Sequence, residues 1–349
     1  MSRLSLPTPR GFRLSAAVCS YGYFLLSPNR WLPDDQSLLR PLHLPSGRAV
    51  ATRTTQPGVS KPLRIVTPVR LTRGEVASVK RQLSRMLRLG EDLSGWRKVR
   101  PPEAKRQGFE RMFRSPTLFE DMVKTITGCN VSWRNTIAMN RKLCEHYGEK
   151  PAGFDHPSHL EHAFPTPAAL ADAEPRRLNE LTSVGYRADR IIRLARGFVD
   201  GSHDPAWFEA LQRTRDELYA ALLALHGFGP YAAANVLQLL GRYDRLAIDT
   251  ETYRHFEQVH GLPRGEDPKR NHDRIERHYA RYAPYQFLAY WFELWDDYQR
   301  RLGRADAWDR DEQAPNFTAM QLNRAADTAE PAPRQAAKPQ QETPRKKKA

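Results

Sequence analysis

Cysteine is scarce: Cys19, Cys129 and Cys144 are the three in 349 residues. Three scattered thiols cannot build a disulfide framework, and they are too few for a four-thiolate iron–sulfur cluster. Long apolar runs are missing as well. No window approaches the roughly 18 consecutive apolar residues of a membrane span, and the N-terminus has no signal-peptide apolar core. These absences argue against a membrane protein and a secreted disulfide scaffold. The expectation is a soluble cytoplasmic monomer, nucleoid-associated if bacterial. Acid is the charge in short supply, 40 Asp and Glu against 55 Lys and Arg, a formal net of +15. The imbalance is local. Residues 1–110 hold 20 basic and 7 acidic residues, residues 111–320 hold 28 and 30, and residues 321–349 hold 7 and 3. An excess confined to an N-terminal block and a tail suits a polyanion, although an Arg-rich composition with a solvated surface gives the same count. With 40% hydrophobic residues there is ample material for a core, which excludes global disorder.

What is present falls into three regions. Residues 1–74 carry short apolar runs broken by Pro, Gly and Asn, and read as a small antiparallel β domain. Within it, Val18 to Leu26 and Leu63 to Leu71 are predicted strands, with Ser27-Pro28-Asn29 as a turn. From Gly74 the apolar spacing changes to the helical three-to-four pattern of Val76, Val79, Leu83, Met86 and Leu87. Residues 75–305 are predicted to be a helical domain. A helix with Pro116 at its first position carries Leu118, Phe119, Met122, Val123 and Ile126, and a second runs over 132–147. Further helices are expected near 167–173, 175–182, 187–200, 205–211, 214–225, 230–240, 249–259, 270–281 and 284–301. Residues 306–349 form an extended C-terminal region. From about 321 the composition of Ala, Pro, Gln and charge predicts a basic disordered tail. There is no internal repeat.

The most informative stretch runs from Leu222 to Phe256. A helix ends at Leu225, the tight turn His226-Gly227-Phe228-Gly229 follows, and a new helix opens at Pro230. The two glycines remove Cβ atoms where the chain turns sharply and let backbone N–H groups come close to an anion. The helix beginning at Pro230 aims its free amides and positive dipole end at the same spot. Ala232, Ala233 and Ala234 keep that helix thin enough for close packing. Such a device grips one nucleic-acid phosphate without reading sequence. Twenty residues after Gly229 comes Asp249, directly behind Leu246-Ala247-Ile248. It reads both as the N-cap of a helix starting at Thr250 and as a fixed anion facing a cavity.

The segment from Leu225 to Leu237, followed by Ile248-Asp249-Thr250, resembles the signature of the helix–hairpin–helix (HhH-GPD) DNA glycosylases. These include endonuclease III, 8-oxoguanine DNA glycosylase and 3-methyladenine DNA glycosylase II. The resemblance covers about residues 75–300. It implies a mainly α fold, α+β overall, with the helix–hairpin–helix glycosylase core behind the small N-terminal β domain. It also implies duplex DNA as the partner, residues 226–230 as the backbone grip and Asp249 as the catalytic carboxylate. Gly185-Tyr186-Arg187-Ala188 is similar to a segment of the 8-oxoguanine enzymes. There the Tyr wedges beside the extruded nucleotide and the Arg contacts the base left behind, which gives those roles to Tyr186 and Arg187; in the alternative the Tyr is a core residue and the Arg a surface one. Asn130 matches the position that fills the hole in the duplex, or is a plain helix cap.

The departures carry as much. Members with lyase activity have a Lys two residues after the second hairpin glycine, where it forms a Schiff base with the sugar. Tyr231 stands there, and a phenol cannot form an imine, so a monofunctional hydrolase is expected. Tyr290 stands where the 8-oxoguanine readers have Gln, and Glu251 replaces the His that follows their catalytic Asp by two. Both weaken the case for an oxidised guanine. Tyr231, Tyr285, Tyr290 and Trp291 can instead stack on an electron-poor alkylated base, or simply pack a helix core; Gly22 joins them as a base-pocket residue. Removal of an oxidised or deaminated base and lesion binding without cutting remain the alternatives. No cofactor is expected, apart from the monovalent cation that family members often hold on the hairpin carbonyls. His156, His159 and His162 have a spacing that suits zinc, but their setting reads as a loop and no metal site is assigned.

Overall fold

The computed structural model of the protein describes residues 1–153, 161–262 and 267–313. His156, His159 and the residues beyond 313 lie outside them. Five strands form one antiparallel sheet in the order β1-β5-β4-β3-β2: β1 Ser2–Leu6, β2 Arg30–Leu32, β3 Ser37–His43, β4 Ala49–Thr55 and β5 Leu63–Thr67. Strands β2 to β5 follow one another as a meander, and β1 closes it by pairing Leu4 with Ile65. Along β5 the alternation is clear, with Leu63, Ile65 and Thr67 buried while Arg64 is exposed, as expected of a sheet with one wet face.

Between β1 and β2 the structure departs from the expected strand over Val18 to Leu26. Leu14–Val18 is a short helix, α1, and Gly22–Leu25 is a turn of 3₁₀ helix. Every residue from Ala17 to Leu26 except Ser20 is an apolar or aromatic residue or glycine, and all are buried. A run buried on all sides carries no period of two to specify a strand.

The remaining elements are helical. They are α2 Arg73–Met86, α3 Ser94–Val99, α4 Pro102–Gln107, α5 Leu118–Gly128, α6 Trp133–Tyr147, α7 Pro167–Ala171, α8 Pro175–Thr182 and α9 Arg187–Val199. Then come α10 Pro205–Glu209, α11 Arg215–Leu223, α12 Pro230–Leu239, α13 Thr250–His260, α14 Pro268–Tyr279, α15 Gln286–Leu302 and α16 Arg310–Gln313. Most begin on the side-chain caps that the sequence suggests. Thr72 and Thr214 each form a reciprocal capping box with a glutamate three residues on, satisfying two orphan amides at once. The helix expected to open at Pro116 instead starts after Thr117, whose hydroxyl accepts from the Glu120 N–H at 3.3 Å.

Two apolar clusters result. One joins the sheet, α1 to α4 and α15; the other joins α5, α6, α9 and α11. Helix α12 lies between them, giving Ala234 and Leu239 to the first and Ala232, Ala233, Val236 and Leu237 to the second. The hairpin helix is therefore held from both sides. Arg40 of β3 donates to Glu120 of α5 at 2.5 Å, and Lys124 lies 2.7 Å from the other Glu120 oxygen, all three buried.

Candidate active site

Ala247 is buried in the first cluster and Leu246 and Ile248 pack against it, which delivers Asp249 to the start of α13. Its Oδ1 accepts from the Thr252 N–H at 2.9 Å and from the Thr252 hydroxyl at 3.0 Å. The Asp249 N–H donates back to Thr252 Oγ1 at 3.1 Å, and Thr252 Oγ1 lies 2.8 Å from the Tyr290 hydroxyl. Both readings of Asp249 hold: it caps a helix and it lines a cavity. Burial raises its pKa above the ordinary aspartate value; the Thr252 bonds oppose the rise and nearby Glu251 adds to it.

The cavity is about 340 Å³, at the small end of the ligand-pocket range of ~300–1,000 Å³. Its aromatic walls include Tyr21, Tyr23, Trp133, Tyr231, Tyr290 and Trp291. Gly22 is in the wall because Trp133 lies against it: a Cβ there would sit 2.9 Å from the indole. Trp291 is fixed edge-on to Tyr21, with ring centres 4.7 Å apart, and its indole N–H donates to the Ser20 carbonyl at 2.8 Å. Behind this wall the Tyr21 hydroxyl donates to Asn235 Oδ1 at 2.7 Å, and Asn235 Nδ2 donates to Thr125 Oγ1 at 3.0 Å. The N-terminal region is thus tied to α5 and to the hairpin helix at the cavity itself. Burial pushes the hydroxyl pKa of Tyr231 and of Tyr290 well up, with Asp249 adding to both, so both phenols stay neutral.

Tyr285 is the exception among the expected pocket residues. It does not line the cavity; it packs on Trp96 and Tyr243, and its hydroxyl would lie 2.2 Å from a Cβ at Gly95. It is the N-cap of α15, about one and a half turns before Tyr290 at 3.6 residues per turn, and so faces away from it, a distinction that aromatic content does not carry. The residues missed by sequence reasoning are Tyr21, Tyr23, Trp133 and Asn235. The first two were hidden in the misread strand. A buried polar residue such as Asn235 inside an alanine-rich helix was the one signal available.

The hairpin is shaped as its glycines suggest. Gly227 has φ +82, and a Cβ there would meet Arg190 Cδ at 2.4 Å. Phe228 is buried in the second cluster as an anchor, while His226, Gly229 and Pro230 are exposed. Pro230 is the first residue of α12, so the first-turn amides face outward without intrahelical partners. The Gly227 carbonyl accepts from Arg190 Nη1 at 3.3 Å. An ion on the hairpin would share that oxygen with a fixed positive charge.

Helix α9 completes the face. Tyr186 is 54% exposed, with the guanidinium groups of Arg187 and Arg190 4.6 and 4.7 Å from its ring centre. Arg187, expected to reach the opposite strand, is buried: it donates to the Cys129 carbonyl and, at 3.2 Å, to the Asn130 carbonyl. It thereby holds Asn130, which is exposed in a left-handed conformation at φ +51. Arg190 bridges Tyr186 to the hairpin, and His226 pairs with Asp189 at 3.2 Å. The exposed Tyr186, the Asn130 loop and the hairpin are brought together on one face.

Comparison with known proteins agrees with this arrangement. Residues 123–281 match the HhH-GPD superfamily of base excision DNA repair proteins. The fold is similar to that of 3-methyladenine DNA glycosylase from Archaeoglobus fulgidus, with a TM-score of 0.62, 19% identity, and 84% of this chain and 98% of that chain covered. It is equally similar to MBOgg1 solved with a low-affinity DNA ligand, at TM-score 0.63 and 19% identity over 87% and 97% of the two chains. The Clostridium acetobutylicum 8-oxoguanine glycosylase/lyase bound to double-stranded DNA gives TM-score 0.52 and 16% identity over 72% and 86%. At such identities the likeness is one of fold.

Proposed function

We propose that this chain, whose residues 123–281 match the HhH-GPD superfamily of base excision DNA repair proteins, hydrolyses the N-glycosidic bond of an alkylated base flipped out of duplex DNA and leaves an abasic site. The observation that carries the proposal is Asp249 in the wall of an aromatic cavity beside the hairpin. Cleavage builds positive charge on the sugar, and a carboxylate fixed in a partly buried site stabilises that charge and orients the attacking water. The electron-rich faces of Tyr21, Tyr231, Tyr290 and Trp291, with Asp249 and Glu251 nearby, favour a base that itself carries positive charge, as N-alkylated purines do.

The reading as a monofunctional enzyme rests on Tyr231, whose phenol stands where a lyase needs an amine. Lys124 also reaches the cavity wall, but its ammonium is fully buried against Glu120 and 5.8 Å from the ring centre of Tyr23. Borohydride trapping on an excised duplex is expected to give no covalent adduct, and an adduct would refute monofunctionality. A panel of duplexes carrying 3-methyladenine, 7-methylguanine, 8-oxoguanine, hypoxanthine and uracil tests the substrate class. Release of the two methylated purines well ahead of the rest is expected; preference for 8-oxoguanine, hypoxanthine or uracil overturns the alkylated-base reading while leaving Asp249 in its role.

A further inference from the structure

The C-terminal ends of α13 and α14 meet the middle of α15 at a cluster whose residues do not line the cavity. One ligating atom each from His260, His278 and Glu293 lies within 4.8 Å of the other two. His260 Nε2 is 2.7 Å from Glu293 Oε1, and the two imidazole rings are centred 4.1 Å apart. Around them is a second layer of polar groups. The Tyr279 hydroxyl donates to Glu293 Oε1 at 2.8 Å, and His255 Nε2 lies 3.0 Å from the same oxygen. The other ring nitrogen of His255 lies 3.8 Å from Asp297 Oδ2. Among the described residues, Arg281 is an opposing charge: its Nη2 is 3.3 Å from His278 Nε2, on an exposed residue.

We infer that His260, His278 and Glu293 form a divalent transition-metal site, most suited to zinc, that clamps α13 against α14 and α15. Two imidazoles and one carboxylate are a ligand set that zinc accepts in tetrahedral geometry, with a fourth position left for water. Tyr279 and His255 would orient the carboxylate, as outer partners commonly do in metal sites. Helix α13 carries Asp249 at its first end and His260 at its last. At 1.5 Å per residue the site lies ~16 Å from the catalytic carboxylate. Its role is therefore to brace the helix that carries Asp249, without contact with the substrate. The inference stands apart from the glycosylase reading, since it needs neither DNA nor the cavity.

The test uses the full chain, freed of metal by a chelator and titrated with cobalt(II), whose tetrahedral complexes show visible ligand-field bands. One saturable equivalent, displaced by zinc, is expected, together with a rise in melting temperature on adding zinc. His260→Gln and His278→Gln should each abolish the bands and the rise; both side chains are partly exposed, so the variants are expected to fold. Tyr279→Phe should weaken binding about 10- to 100-fold. Arg281→Ala should tighten it by removing a nearby cation, a result that a hydrogen-bonded cluster without a metal would not give. Absence of saturable cobalt binding in the wild type, or its persistence in either histidine variant, overturns the proposal.

Discussion

At Asp249 one residue is asked to be a helix cap and a buried anion together, and the two demands pull its pKa in opposite directions. Burial wins, so the folded state favours the protonated acid more than the unfolded chain does. The stability associated with this group is therefore fully present below the unfolded-state pKa and is lost as pH rises through the higher folded value. Asp249→Asn keeps an oxygen to accept the Thr252 N–H, and Asn caps helices as well as Asp does. The variant should accordingly melt higher than the wild type at neutral pH while losing at least about a hundredfold in base release. Calorimetry and a base-release assay check the two halves, and unchanged release would end the catalytic assignment. If ionised Asp249 is the proposed catalytic form, the acid limb of kcat/KM in the wild type should fall at a higher pH than an unperturbed aspartate would give. Asp249 was legible in the sequence because local spacing and an apolar lead-in mark it. Tyr21 was not, because its partner Asn235 is 214 residues away, and no local pattern records such a contact.

Elements were more legible where their periodicity faced a single environment. Helices α8, α9, α12 and α13 begin and end within one residue of the positions expected from caps and spacing. The stretch from Val18 to Leu26 reads as extended in the sequence because aromatic content resembles a strand when burial is uniform. The join between elements was hidden too, and the buried Arg40–Glu120–Lys124 group is the example. It links β3 to α5, and its single carboxylate serves two cations. Burial works against the charged carboxylate, but Arg40 and Lys124 outweigh it and hold the Glu120 pKa down at about 2. Its stabilising contribution is therefore present above the ordinary glutamate range and lost as pH falls toward that value. Glu120→Gln would leave two buried cations without a counter-charge, a change expected to cost ~3–5 kcal/mol. Chemical denaturation would measure it. A loss below ~1 kcal/mol would mean that the three groups are not held as an ion network.

Across the whole molecule, the positive charge does not sit where the site does. Residues 111–320, which include the hairpin, α9 and Asp249, hold 28 basic and 30 acidic residues. Many of the arginines there are occupied internally, Arg187 on backbone carbonyls and Arg190 on the hairpin itself. The face that would meet the duplex therefore relies on outward backbone amides and a few placed side chains, which give position with little long-range attraction. The attraction has to come from the N-terminal 110 residues and from residues 321–349, which carry 7 basic against 3 acidic residues. Counterion release makes that part of binding salt-sensitive, with a slope of ~0.9 for each phosphate neutralised. Deleting residues 321–349 should weaken duplex binding at low salt and flatten the dependence of log affinity on log salt. The weakening should shrink as salt rises, since the truncated and full chains then share the same amide-based grip. Base excision at saturating enzyme should be unchanged if residues 321–349 serve encounter and the cavity serves the chemistry. A drop in single-turnover excision after truncation would place tail residues within reach of the flipped base and undo that division of labour.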